Sequence, residues 1–232
     1  MLFIFKDQFD KVDELFEKLS RFFIMYSLVY AKAINYVHTF SFKIRRWIVD
    51  ENIEEITKAI ESEIKSKTLQ EIVGKKLEEP IAILPTPVNK NLLCWIVEYF
   101  NCNNSHSGED LVRLFNIKYD IEHIHATANE QECQGIDKNL QNSIGNLMLL
   151  EYDINRSIQD DTFENKKDNP KKKNYTQSDF PTVNLICSCD RWDKQQIENR
   201  KKDLVDKLYD YLVNGKIPSA ENFSASDSVL ES

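Results

Sequence analysis

The sequence predicts a mainly helical α+β protein, and three observations predict it. Apolar residues recur three or four apart over long stretches of the 232-residue chain, the stripe of helices packing on a core. One stretch, Phe115 to His125, instead alternates apolar and polar residues, as a half-buried strand does. Glycine and proline are scarce, at 5 and 6 residues, and a 29% charged fraction rich in Lys and Glu favours helix. With 41% apolar residues, a chain of this length buries a core without staples.

Taken in order, Val12, Leu15, Leu19, Phe22, Phe23 and Tyr26 mark one long helix or a broken pair. A second helix follows Asp50 as N-cap, with Ile53, Ile56, Ile60 and Ile64 on one face. The prolines between Pro80 and Pro87 end this helical region, residues 1–85, and open a second region, 86–214. There, Leu92 to Phe100 reads as a short buried helix and Asn101 to Asp110 as a loop. The strand Phe115 to His125 leads through a polar connection, Ala126 to Ser143, to a second apolar run, Leu147 to Leu150. Helical composition resumes from Asp161 to Lys167. Trp192 and Asp193 open a last helix, with Asp193 and Gln196 spaced as a capping box and Ile197, Leu204, Leu208 and Leu212 along one face. From Gly215 the Ser-rich remainder, residues 215–232, reads as a disordered tail.

A net charge of −8 argues against a general nucleic-acid coat, so any such site must be local. The one dense basic cluster, Lys166, Lys167, Lys171, Lys172 and Lys173, is a solvated loop or a phosphate contact. The apolar runs Met1 to Phe5 and Phe22 to Ala31 are too short to span a bilayer, and the reading is a cytoplasmic protein with no membrane association. Five cysteines at irregular spacing read as reduced thiols. A structural zinc on Cys133, Cys187 and Cys189 is the open alternative, and it lacks a fourth ligand. No G-x-x-x-x-G-K-[ST] loop is present, so the chain is not expected to hydrolyse nucleotides itself.

Of the four histidines, His123 and His125 lie two apart on the expected strand and share one face, with Glu122 directed oppositely unless the strand ends there. Alone, such a pair is a surface glutamate beside a satisfied core histidine. It is followed, however, by Gly145-Asn146-Leu147, then Asp153-Ile154-Asn155-Arg156-Ser157, then Phe163 and Lys166. Glu122-His123-Ile124 with this series resembles the HNH domain at the C-terminal end of Gmr-type modification-dependent restriction enzymes. The similarity runs from about Leu92 through Leu212 and includes Trp192-Asp193, Ile197 and Arg200.

That resemblance implies a ββα-metal (HNH) nuclease core embedded in helices. It implies His123 as general base, Glu122 and Asn155 as ligands of one divalent ion, and Asp153 as a further candidate ligand. It implies Asn146 as the residue that ties the connecting loop, and Arg156, Lys166 and Lys167 as nucleic-acid contacts. Phosphodiester hydrolysis needs an activated water and a positive charge at the developing oxyanion, which an imidazole and a hard cation supply. Glu and Asn oxygens suit Mg²⁺ or Mn²⁺. The family commonly follows Glu-His-Ile with a Leu-Pro turn, where this chain has His125-Ala126-Thr127, so His125 is a structural substitute or a second ligand or base. As a stand-alone chain the protein is similar to the HNH subunit of Septu-type antiphage systems. That likeness implies control by an ABC-type ATPase docked on the N-terminal helices. DNA is the favoured substrate; RNA, including tRNA, and an inactive HNH-fold adaptor are the alternatives.

Overall fold

The computed structural model of the chain describes residues 9–29, 33–80, 87–102, 108–126 and 136–223. These residues are mainly helical, with one small sheet among them. In chain order the elements are α1 (Phe9–Val29), α2 (Ala33–Val49), α3 (Ile53–Ile64), α4 (Lys67–Glu78), α5 (Pro87–Cys102), α6 (Gly108–Phe115), β1 (Tyr119–His123), α7 (Lys138–Gln141), β2 (Leu147–Glu151), α8 (Tyr152–Ile158), α9 (Phe163–Lys167), α10 (Pro181–Ile186) and α11 (Lys194–Asn214).

The chain divides into two compact units. The first comprises residues 1–79, 84–89 and 207–217. Its described core takes most of the expected stripe: Val12, Leu15, Phe22 and Tyr26 of α1 are buried, together with Met25, whereas Leu19 is half-buried and Phe23 is exposed; Phe40 and Ile44 of α2 are buried too, and α3 adds Ile53, Ile56, Ile60 and Ile64. Phe22 meets the Phe40 ring at 4.7 Å. The N-cap of α3 is Asn52 rather than Asp50, because its side chain reaches the Glu55 N–H at 3.2 Å. After Ser66 a separate helix, α4, buries Leu69, Val73 and Leu77, which the Ile53–Ile64 stripe had not distinguished.

The second unit comprises residues 80–83, 90–206 and 218–232. The strand is shorter than its alternation suggested, since Phe115 ends α6 and stacks on Trp95 with ring centroids 4.2 Å apart. Leu111, Leu114 and Phe115 satisfy helical spacing as well as part of the alternation, and the helix wins. β1 pairs antiparallel with β2, with Tyr119 opposite Glu151 and His123 opposite Leu147. A two-stranded ribbon is marginal alone. Here β2 is buried at every residue and α8 and α10 pack against it.

The segment expected to fray from Gly215 is held at least in part. Glu221 is buried, accepts hydrogen bonds from the Arg200 guanidinium at 2.7 Å and the Asn101 amide at 2.9 Å, and donates its own N–H to Asn101 Oδ1 at 2.9 Å. The positions that hold it lie more than 100 residues away in part, which local composition does not register. Residues 224–232 lie outside the described part, as do residues 127–135 of the connection, Cys133 among them. No described helix is long and apolar enough to cross a membrane.

Candidate active site

β1 turns alternate side chains to opposite faces of the ribbon. Tyr119, Ile121 and His123 line one side of a cleft of about 490 Å³ that Lys90, Asn91, Asn142 and Leu147 also line, and Asp120 reaches its wall. His123 is half-buried there. Burial lowers its pKa, and the Lys166 and Lys90 charges add to that, against the opposing pull of the Asn142 contact and the Asp160 carboxylate. A neutral imidazole is therefore the form present near pH 7, which is the form that accepts a proton.

Asn142 settles which ring nitrogen is available. Its Nδ2 donates to the Lys138 carbonyl at 2.8 Å, which turns Oδ1 toward His123 Nε2 at 3.4 Å. An oxygen there requires Nε2 to carry the proton, leaving Nδ1 as the basic atom. The turn behind it is fixed by Asn146, which is fully buried and accepts from the His125 N–H at 2.8 Å. Asn146 also donates to the carbonyls of His125 (3.2 Å) and Gln141 (3.0 Å). His125 itself is buried, with Nδ1 3.1 Å from the Ala126 carbonyl, a structural setting.

Gly145 precedes this asparagine because nothing larger fits. A Cβ there would lie 2.2 Å from the Ile197 carbonyl and 2.9 Å from the Lys201 N, both backbone atoms of α11. The close approach lets Arg200 donate to the carbonyls of Ile144 (3.3 Å), Gly145 (3.2 Å) and Leu147 (2.9 Å). In this way α11 fixes the turn that fixes His125, two residues from His123.

Glu122 projects from the other face and is buried. Its Oε1 accepts from Lys166 Nζ at 2.6 Å and from the Tyr175 hydroxyl at 2.9 Å. Burial pushes its carboxyl up, although Lys166 and Tyr175 pull it back. Lys166 is itself 1% exposed and spends its remaining donors on the His123 and Ile124 carbonyls, at 2.7 and 3.4 Å. It braces the end of β1 and does not face solvent, unlike the phosphate contact expected from sequence. Lys167 bonds the Cys189 carbonyl at 2.7 Å, and Arg156 is exposed over the Tyr152 ring at 4.7 Å. The basic cluster thus has several fates: Lys171 is exposed, Lys172 pairs with Asp161 and Lys173 with Asp153.

The family model described as GmrSD restriction endonucleases, C-terminal domain, matches residues 82–207, more than half of the chain. The chain belongs to this family. Its GmrSD C-terminal domain thus coincides largely with the second unit and contains His123, Asn146 and Asn155. Membership points to a nuclease of the restriction-endonuclease type. No curated protein and no solved structure matches the chain.

Nucleases of HNH type use divalent ions, and the residues of this GmrSD domain can be tested for one. Asn155 on α8 places its amide 3.4 Å from Asp120 Oδ2. A half-turn of that amide would present two hard oxygens side by side, and water completes such a sphere for magnesium. Asp120 also reaches the wall of the His123 cleft. This pair fits. Glu122 shares the strand face but joins only if it exchanges Lys166, and Asp153 is exposed and engaged by Lys173. Among the described residues no three His, Cys, Asp or Glu side chains form a metal cluster. Asp120, Asn142 and Lys90 were not singled out from sequence. Only Asp120 carried a signal there, as a carboxylate two residues before Glu122 and hence on the same face.

Proposed function

We propose that the chain is a metal-dependent HNH endonuclease subunit that hydrolyses phosphodiester bonds, with DNA the favoured substrate. The observation that supports this most is the neutral imidazole of His123, held by Asn142 with Nδ1 unprotonated and lining a cleft beside a carboxylate. The succession β1, β2, α8, with His123 on the first strand and Asn155 on the helix, supports a ββα-metal core.

In this reading His123 Nδ1 takes a proton from water as the water oxygen bonds to phosphorus, and the bond to the leaving sugar oxygen breaks. Mg²⁺ or Mn²⁺ at Asp120 and Asn155 would supply positive charge for the phosphate oxygens. Asn142 keeps the tautomer, Asn146 and Arg200 hold the turn, and Lys166 holds the strand end. Exposed Arg156 and Lys171 offer charge to flanking phosphates.

We place the chain in a bacterial antiphage system, as a Septu-type nuclease subunit whose ATPase partner docks on the first unit. Exposed Phe42, at 72%, and Val49, at 73%, offer apolar contact there. The test is incubation of the purified chain, alone and with a Septu-type ATPase, with plasmid DNA and with total tRNA in magnesium or EDTA. Metal-dependent cutting that His123→Ala abolishes supports the reading, and the polymer cut decides between DNA and RNA. Absence of cutting in every arm, with partner present, points to an inactive adaptor.

A further inference from the structure

The His123 cleft contains a cation for which neither the family motif nor the proposed chemistry accounts. Lys90 lines it from the first turns of α5, together with Asn91, in the same cleft as His123. Among the described residues Lys90 makes no ion pair, whereas Lys166, Lys172 and Lys173 are each matched to a carboxylate. An ammonium left unmatched in a cleft gives it a local positive potential. The arrangement is useful when a second anion enters the cleft. The volume, about 490 Å³, admits a sugar-phosphate unit. Its polar groups suit a phosphodiester: one point charge from Lys90 and the amide of Asn91.

We propose that Lys90 is the phosphate-holding cation of this cleft, seating a nucleic-acid backbone phosphate against His123. The assignment rests on the nuclease reading above. It places substrate contact on α5, upstream of the whole HNH-like motif, and it assigns binding to a residue whereas the Lys166-to-Lys173 cluster is mostly engaged within the protein.

The test measures binding apart from cleavage. In a His123→Ala background and in EDTA, fluorescence anisotropy follows a labelled DNA duplex and an RNA of the same sequence as salt is raised. Lys90→Gln, which keeps most of the stem, is expected to weaken binding roughly 5- to 10-fold and to lower the slope of log K against log salt by about 0.7–0.9, the signature of one lost phosphate contact. Lys90→Arg is expected to restore most of the affinity, and Lys202→Ala on the exposed face of α11 to leave it unchanged. Unfolding midpoints of all variants are compared with that of the parent, and the Arg variant keeps the comparison valid if Gln alters packing. Unchanged affinity and slope in Lys90→Gln overturn the proposal while leaving the nuclease reading intact. If the parent binds neither polymer, both fall together.

Discussion

Replacing Lys166 by Met separates a brace from a phosphate contact. The Lys166–Glu122 pair has side chains 1% and 6% exposed, and Lys166 Nζ also serves two carbonyls at the end of β1. Met keeps most of the stem's volume, so the principal loss is electrostatic: Glu122 stays buried with the Tyr175 hydroxyl and the His123 backbone N–H as its donors, and no cation beside it. Breaking such a pair from one side costs about 3–5 kcal/mol. For a protein of this size, at roughly 2–4 °C per kcal/mol, the unfolding midpoint should fall by about 6–20 °C. The loss should also depend on pH. Glu122 already has a carboxyl pushed up by burial, and without Lys166 it rises further. A raised folded-state pKa favours the native state fully below the unfolded value and loses that advantage as pH rises, so the deficit should widen from about pH 5 to about pH 8. Adding Glu122→Gln removes the orphaned charge and should recover most of the stability. The assay is thermal unfolding by circular dichroism of the two single variants and the double variant across that range. A Lys166→Met protein that melts like wild type but binds nucleic acid less well would refute the brace and restore the phosphate role.

Other perturbations test the surrounding structure. Gly145→Ala puts a Cβ 2.2 Å from the Ile197 carbonyl, and α11 must shift; a loss of about 1–3 kcal/mol or more in urea unfolding is expected, and an unchanged midpoint would contradict the close approach. Burial raises the Glu98 carboxyl to about 8, so its contribution is full below about pH 4.5 and is lost as pH rises through 8. Glu98→Gln, melted at acid and alkaline pH, should resemble wild type in acid and exceed it in alkali; a constant difference would contradict the burial argument. Glu221→Ala leaves Arg200 buried without its carboxylate and should cost about 3–5 kcal/mol, which denaturant unfolding measures; a neutral outcome would mean that residues 218–223 are not held as described.

The legible parts of the fold were those with local periodicity. The Ile53 to Ile64 stripe, the Leu147 run and the last helix announce themselves because 3.6 and 2 are short periods in sequence. The strand is shorter than the alternation predicts because Phe115 satisfies both periods, and stacking on Trp95 decides for the helix. Within the site, the order of Glu122-His123, Gly145-Asn146 and Asn155 was visible as a motif. Its partition between two faces of a ribbon was visible only as alternation. That Lys166 is buried against Glu122, 44 positions away, is a tertiary fact. So is the role of Asn142, whose orientation depends on the carbonyl of a four-residue helix. The hold on Glu221 depends likewise on Arg200 and Asn101, which no local pattern links to it.

In the proposed mechanism His123, neutral and oriented by Asn142, is the base that activates water. The most direct measurement is the cleavage rate of one labelled substrate by wild type and His123→Ala from about pH 5 to about pH 8 in saturating magnesium. Because burial holds the imidazole below its ordinary value of 6.5, wild-type activity should persist below that pH and fall only in more acid buffer. His123→Ala should be slower by about 10²–10⁴ and should lack that acid limb. A His123→Ala protein that cuts at the wild-type rate with the same pH profile would contradict the account.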